Sequence, residues 1–142
     1  MDYAINANKA AAEQKHIKFE LNVPSSLPKI LADNEKTAWV LTNLISNAIR
    51  YSYDNSAVII DVSKAGNKVN ISVTDTGKGI APQYINKIFD RYFRIPGTKK
   101  EGTGLGLSIS KEFIEAQAGT ITAKSEFGSG STFIISLPAY AG

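Results

Sequence analysis

The chain has 142 residues, 43% apolar and 20% charged, with a formal charge of +3; such a make-up specifies one ordinary globular domain with a normal core. It has no cysteine and a single histidine, His16, which excludes disulfides, thiolate metal sites and multi-histidine zinc within one chain. No apolar run is long enough to span a bilayer and no charged-then-apolar signal pattern follows Met1, so no membrane contact by this domain is expected. The mild basic excess is compatible with an anionic small ligand or a weak nucleic-acid contact and decides neither.

Residues 2–15, alanine-rich and polar, read as a short helix with a weak apolar stripe. In "HIKFELNV" Ile17, Phe19 and Leu21 alternate, which predicts a strand with those three on one face. "PSSLP" is a loop, and Asp33 or Asn34 can cap a helix running to about Tyr51. "AVIIDVS" and "KVNISVTD" predict two strands joined as a hairpin through "KAGN". "QYINKIF" has the length of two helical turns, and "DRYFRIPGTKKEGTG", with no periodicity, reads as a long mobile loop. "LGLSISKEFIEAQ" is an amphipathic helix stopped by Gly119. "TITAKSE" and "STFIISLP" close the chain as a hairpin around "FGSG". Strand pairs and helices interleave without strict βαβ alternation. The expected fold class is therefore α/β, a two-layer sandwich with a mixed sheet covered by helices on one face.

Three stretches carry chemistry. On the wheel of the long helix, Leu41, Leu44, Ile45, Ala48 and Ile49 form the apolar face. Asn43 and Asn47 lie one turn apart on one side, with Trp39 and Arg50 beside them and Tyr51 at the edge of the apolar face. Carboxamide oxygens are hard neutral ligands suited to Mg²⁺, a guanidinium suits phosphate, and a ring lies well against a base; a plain polar solvent face would also account for them. In the third strand Asp75 shares parity with Val69, Ile71 and Val73, so its carboxylate points to the core side, where it needs partners. A purine amino group or the amides of the following turn would serve. Finally, Gly102, Gly104 and Gly106 precede a helix whose first amides and partial positive charge favour phosphate. The spacing is neither a P-loop nor a dinucleotide fingerprint, and a flexible loop ending in a helix explains it nearly as well.

In this order, the stretches resemble the catalytic, ATP-binding domain of sensor histidine kinases, of the wider GHKL superfamily with the Bergerat fold that includes gyrase, a mismatch-repair ATPase and a heat-shock chaperone. "NLISNAIRYS" is similar to the N box, "DTGKGI" to the first glycine box, "IFDRYFRI" to the phenylalanine box, "GTGLGLSI" to the second glycine box and "GSGSTF" to the late glycine-threonine element. The resemblance covers roughly Ile17 to Pro138. It implies a mostly antiparallel sheet, with ATP held between the helical layer and a mobile lid from about Arg91 to Thr103. It further implies that Asp75 accepts the adenine amino group, with Thr132 supporting that polar floor, and that Gly77, Gly79 and Ile80 shape the pocket wall. Tyr51 would lie against base or ribose, and Asn47 would ligate Mg²⁺. Asn43 would orient the metal's water or the γ-phosphate, and Arg50, where lysine is common, would face phosphate. Arg91 or Arg94 would reach the γ-phosphate, and Gly102, Thr103, Gly104, Leu105, Gly106 and Leu107 would cradle phosphates.

Two departures stand out. Trp39 occupies a position expected to be polar, where it packs on the lid, on a neighbouring domain or simply by partial burial. The phosphoacceptor histidine hairpin of these kinases has no counterpart, and His16 reads as a strand-edge residue. The chain therefore reads as an excerpt of a longer kinase, membrane-anchored or not: residues 1–15 are an N-terminal helix or linker from the upstream part of the parent and 16–142 a cytoplasmic catalytic domain. Its expected partners are ATP, the hairpin domain of the same parent (a homodimer through that domain) and a response regulator, with no nucleic acid. The alternatives are a non-catalytic nucleotide-binding module and an anti-sigma-type serine kinase. The hydrolytic relatives carry a glutamate four residues before the metal asparagine; here that position is Asn43.

Overall fold

The computed structural model describes residues 2–23, 34–93, 106–126 and 128–138. In chain order these form α1 (Asp2–Ala7), α2 (Lys9–Gln14), β1 (Lys18–Asn22), α3 (Asn34–Tyr51), β2 (Ala57–Ala65), β3 (Lys68–Asp75), α4 (Gly106–Glu115), β4 (Thr120–Glu126) and β5 (Gly130–Pro138). The strands make one five-stranded sheet in the order β1-β2-β3-β5-β4. Among the described residues only β1 pairs in parallel, with β2; the other three pairings are antiparallel. Both predicted hairpins are present, β2–β3 turning through Gly66 (φ +61°) and β4–β5 through Gly128 (φ +91°).

Alternation in the strands selects the covered face. Val58, Ile60 and Val62 of β2, Val69, Ile71 and Val73 of β3, and Phe133, Ile135 and Leu137 of β5 are all buried. They meet the apolar stripe of α3, where Val40, Leu41, Leu44, Ile45, Ala48 and Ile49 are buried, and Ile114 of α4. Each fully buried leucine or isoleucine in that layer contributes about 1.5–3 kcal/mol of transfer free energy. The wheel assignment for α3 is therefore the observed one, and its polar margin is left for other work.

The N-terminal helices belong to this core: Ala4 is 0% and Ala12 2% exposed, and both join the cluster that includes α3. Four local expectations differ from the structure. Leu21 lies beyond the reach of the helical layer and is 47% exposed, because β1 is an edge strand. His16 is an exposed turn residue before β1, with φ +56° and its N–H donated to the Glu13 carbonyl, not a strand residue. Residues 81–93 form successive turns closed by bonds between residues three apart, such as Tyr84 N–H to Ala81 O at 2.9 Å and Lys87 N–H to Tyr84 O at 2.8 Å, rather than two α-helical turns. The left-handed residue after α4 is Ala118 (φ +62°), while Gly119 is required by space: a Cβ there would lie 2.5 Å from the Ser136 carbonyl oxygen.

Candidate functional site

The C-terminal turn of α3, the loop after β3 and the β4–β5 hairpin meet at one end of the sheet. Asp75 is 3% exposed at the end of β3. Its Oδ1 accepts the Gly77 N–H at 3.0 Å and its Oδ2 accepts the Ser131 hydroxyl at 2.8 Å. A buried carboxylate is tolerated when it is hydrogen-bonded in this way, and two bonds leave it lone pairs for a further donor.

The partner of Asp75 is Ser131, not Thr132. Asp75 stands opposite Ser131 in the β3–β5 register, and directly opposed residues share a face. Thr132 faces the other way, its hydroxyl hydrogen-bonded to that of Thr74 at 3.1 Å. The signal was present in the sequence, because Ser131 shares parity with Phe133, Ile135 and Leu137.

Glycine permits the close approach of three backbones here. A Cβ on Gly77 would sit 1.9 Å from the Tyr51 carbonyl oxygen; with glycine there, the neighbouring Lys78 N–H donates to that oxygen at 3.3 Å. Gly79 (φ +71°) sits against the Glu126 carbonyl, where a Cβ would come within 2.2 Å. Ser125, not singled out in the sequence, fastens the same loop: its Oγ accepts the Ile80 N–H at 2.6 Å and donates to the Gly130 carbonyl at 3.0 Å. Ile80 itself is buried.

On α3, Asn43 and Asn47 are half-buried and Tyr51 is half-buried at the helix end. The Asn43 carboxamide lies against the start of α4: a Cβ on Gly106 would be 3.1 Å from its Oδ1. Trp39 and Phe113 fix the two helices in this relation, their rings edge to face with centroids 5.2 Å apart, and Trp39 remains 39% exposed. Arg50 donates to Asn47 Oδ1 at 3.4 Å, a long contact that holds that oxygen lightly. Arg91 is bound to Glu112 of α4 at 2.6 Å, and the hydrogen bond and charge of that carboxylate hold its guanidinium even more firmly protonated than usual. Leu107 packs at the core margin. Arg94, Gly102, Thr103, Gly104 and Leu105, with most of the expected lid, lie outside the described residues.

Among the described residues no cluster of three or more His, Asp or Glu side chains is placed to hold a metal ion. The Asn47 carboxamide offers instead one neutral hard oxygen, a donor compatible with Mg²⁺, which takes few protein ligands and keeps most of its shell as water and phosphate oxygen. A buried acceptor carboxylate, a carboxamide pair and a helix start thus lie along one margin.

A family model described as histidine kinase-, DNA gyrase B-, and HSP90-like ATPase matches residues 32–141. The chain belongs to this ATPase family. It is 41% identical over 127 residues to the sensor histidine kinase ZraS of Escherichia coli (strain K12), covering 89% of this chain and 27% of that protein. It is 40% identical over 139 residues to the sensor-like histidine kinase SenX3 of Mycobacterium bovis, covering 96% of this chain and 34% of that protein. The chain thus spans roughly a quarter to a third of these curated relatives. Among solved structures it superposes on the catalytic domain of histidine kinase ThkA with a TM-score of 0.84 and 30% identity, covering 96% of this chain and 88% of that one. Its fold is that of the ATPase family, as a mostly antiparallel five-stranded sheet with its helices on one face.

Proposed function

We propose that this chain is the Mg·ATP-binding catalytic domain of a two-component sensor histidine kinase, and that it passes the γ-phosphoryl group to a histidine on a separate hairpin domain of the parent. The observation that carries this reading is the Asp75 carboxylate, buried and held by Gly77 and Ser131 beside the turn that bears Asn47 and Tyr51. The remaining lone pairs of Asp75 accept the adenine amino group, and Tyr51 lies against base or ribose. Asn47 binds Mg²⁺ through its carboxamide oxygen, and Asn43 orients the metal's water or the γ-phosphate. Arg50 faces phosphate, Arg91 or Arg94 reaches the γ-phosphate, and residues 102–107 cradle phosphate. Mg²⁺, when bound, neutralises phosphate charge. Gly79 and Ile80 wall the base, and Ser131 replaces Thr132 as the support of the polar floor.

Transfer rather than hydrolysis follows from position 43. A carboxamide takes no proton at neutral pH, and from Trp39 to Tyr51 the helix holds no carboxylate to serve as base for water. A neutral imidazole nitrogen already carries its lone pair, so the protein need only align the reactants and neutralise charge. The purified chain is expected to bind ATP tightly enough for calorimetry yet turn it over very slowly. It is also expected to leave His16 unlabelled, since that side chain sits in a turn before β1. Rapid turnover by the chain alone, or label on His16, would contradict the assignment. The relatives are sensor histidine kinases, which favours this reading over an anti-sigma-type serine kinase or a silent nucleotide module. Dimerisation through the hairpin and phosphorelay to a response regulator belong to the parent protein on the same reading.

Asn47 makes binding metal-linked. Asn47→Ala should remove most of the affinity gained on adding Mg²⁺ while leaving affinity in EDTA close to wild type. Titrations with and without the metal check this, and an unchanged metal effect in the variant assigns the ligand elsewhere.

A further inference from the structure

The last turn of α3, which carries Asn47, Arg50 and Tyr51, is closed by a residue outside every motif. Lys15, at the end of α2, donates from its ammonium to the carbonyls of Ile49 and Arg50, each at 3.0 Å, and of Ser52 at 3.2 Å. A cation there meets the negative end of the helix dipole and adds a charged donor to its last carbonyls, that of Ile49 also accepting the Ser52 N–H at 3.2 Å. The neighbouring carbonyls are taken by the Ser52 hydroxyl, on Ala48, and by the Lys78 N–H, on Tyr51. Lys15 is itself tied down, its carbonyl accepting the Asn55 N–H at 2.9 Å.

A second anchor lies two turns earlier. Asn8, 7% exposed, donates from Nδ2 to Ala4 O at 3.0 Å and to Thr42 O at 3.1 Å. The upstream segment therefore grips α3 at Thr42, immediately before Asn43, and at Ile49 and Arg50, in the turn that follows Asn47. In an α-helix ending at Tyr51 the final N–H reaches the carbonyl of Asn47, so fraying of that end starts at this asparagine.

We propose that Lys15 is a positioning residue for the Mg·ATP site, fixing the turn of α3 so that Asn47 and Tyr51 are held in place before nucleotide arrives. Through it, the segment ahead of β1 sets the metal-dependent part of nucleotide affinity. This rests on the function proposed above, in which Asn47 meets the metal and Asp75 the base.

The test uses the whole chain with Lys15→Met, which keeps the stem and removes the charge, and Lys15→Arg, which restores a cation. Affinity for a non-hydrolysable ATP analogue is measured with excess Mg²⁺ and in EDTA, beside hydrogen exchange of residues 49–55 without nucleotide. Lys15→Met is expected to exchange faster there and to lose about tenfold of the Mg²⁺-dependent gain, as befits one charge-assisted cap. Its affinity in EDTA should stay near wild type, and Lys15→Arg should recover much of the gain. An undiminished gain in Lys15→Met, or a fall of both affinities in step with the melting temperature, would overturn the proposal and leave Lys15 a structural cap. A wild-type chain that binds no nucleotide would overturn the function and this inference together, whereas normal wild-type binding with an unaffected Lys15→Met removes only the inference.

Discussion

Asp75→Asn is expected to lower affinity for ATP analogues by roughly tenfold to a hundredfold, the 1.5–3 kcal/mol of a hydrogen bond to a charged group. The fold should survive, because the asparagine oxygen can still accept the Gly77 N–H. The Ser131 hydroxyl, now a donor to Oδ2, can rotate to accept from the new amide. What the variant cannot do is offer a second acceptor: its NH₂ group would oppose the adenine amino group, donor to donor. Calorimetry beside a thermal melt separates the two effects. Wild-type affinity in a folded Asp75→Asn protein would remove the base from this carboxylate.

Gly77→Ala is expected to be the more damaging substitution. The added Cβ would lie 1.9 Å from the Tyr51 oxygen, 2.7 Å from its carbonyl carbon and 2.9 Å from Ser52 Cα, all backbone atoms that no rotamer change can move. The loop after β3 must then part from the end of α3. That breaks the Lys78 N–H bond to Tyr51 and separates Asp75 from the turn that bears Asn47. A cost of about 3 kcal/mol is the scale of forced overpacking, which lowers the melting temperature by roughly 10 °C, and nucleotide binding should be lost with it. Gly66→Ala is the control: that glycine also has positive φ (+61°) but nothing lies within 4 Å of its added Cβ, so only about 1 kcal/mol of backbone strain is expected. Equal melting temperatures for the two variants would refute the close approach of the loop to α3.

The long helix, both hairpins and the inward aspartate were legible because each rests on a periodicity that burial enforces. Leu44 and Ile45 lie on the covered face of α3, and Asp75 continues the parity of Val73. Ser131, the hydroxyl that meets Asp75, was missed because cross-strand partners are set by register, which the motif alone does not state; the alternation of Phe133, Ile135 and Leu137 does state it. Residues 83–89 misled for another reason: their apolar spacing suits a helix, yet bonds between residues three apart lay Ile88 on the core. Nothing in the sequence announced Lys15 or Ser125. Each acts on backbone carbonyls or amides brought near by the fold, and lysines and serines of that kind are unmarked in a chain read linearly. His16 and Ala118 hold left-handed turns that a sequence reading assigns first to glycine or asparagine.

The account stands most directly on phosphoryl transfer in trans. The chain is mixed with a matching histidine-hairpin domain and γ-labelled ATP, with Mg²⁺ present, and label is followed on both proteins. Acid-labile, alkali-stable phosphate on the hairpin histidine, with none on this chain and little free phosphate from the chain alone, is the predicted result. Label confined to free phosphate, or acid-stable label on a serine of the partner, would contradict it.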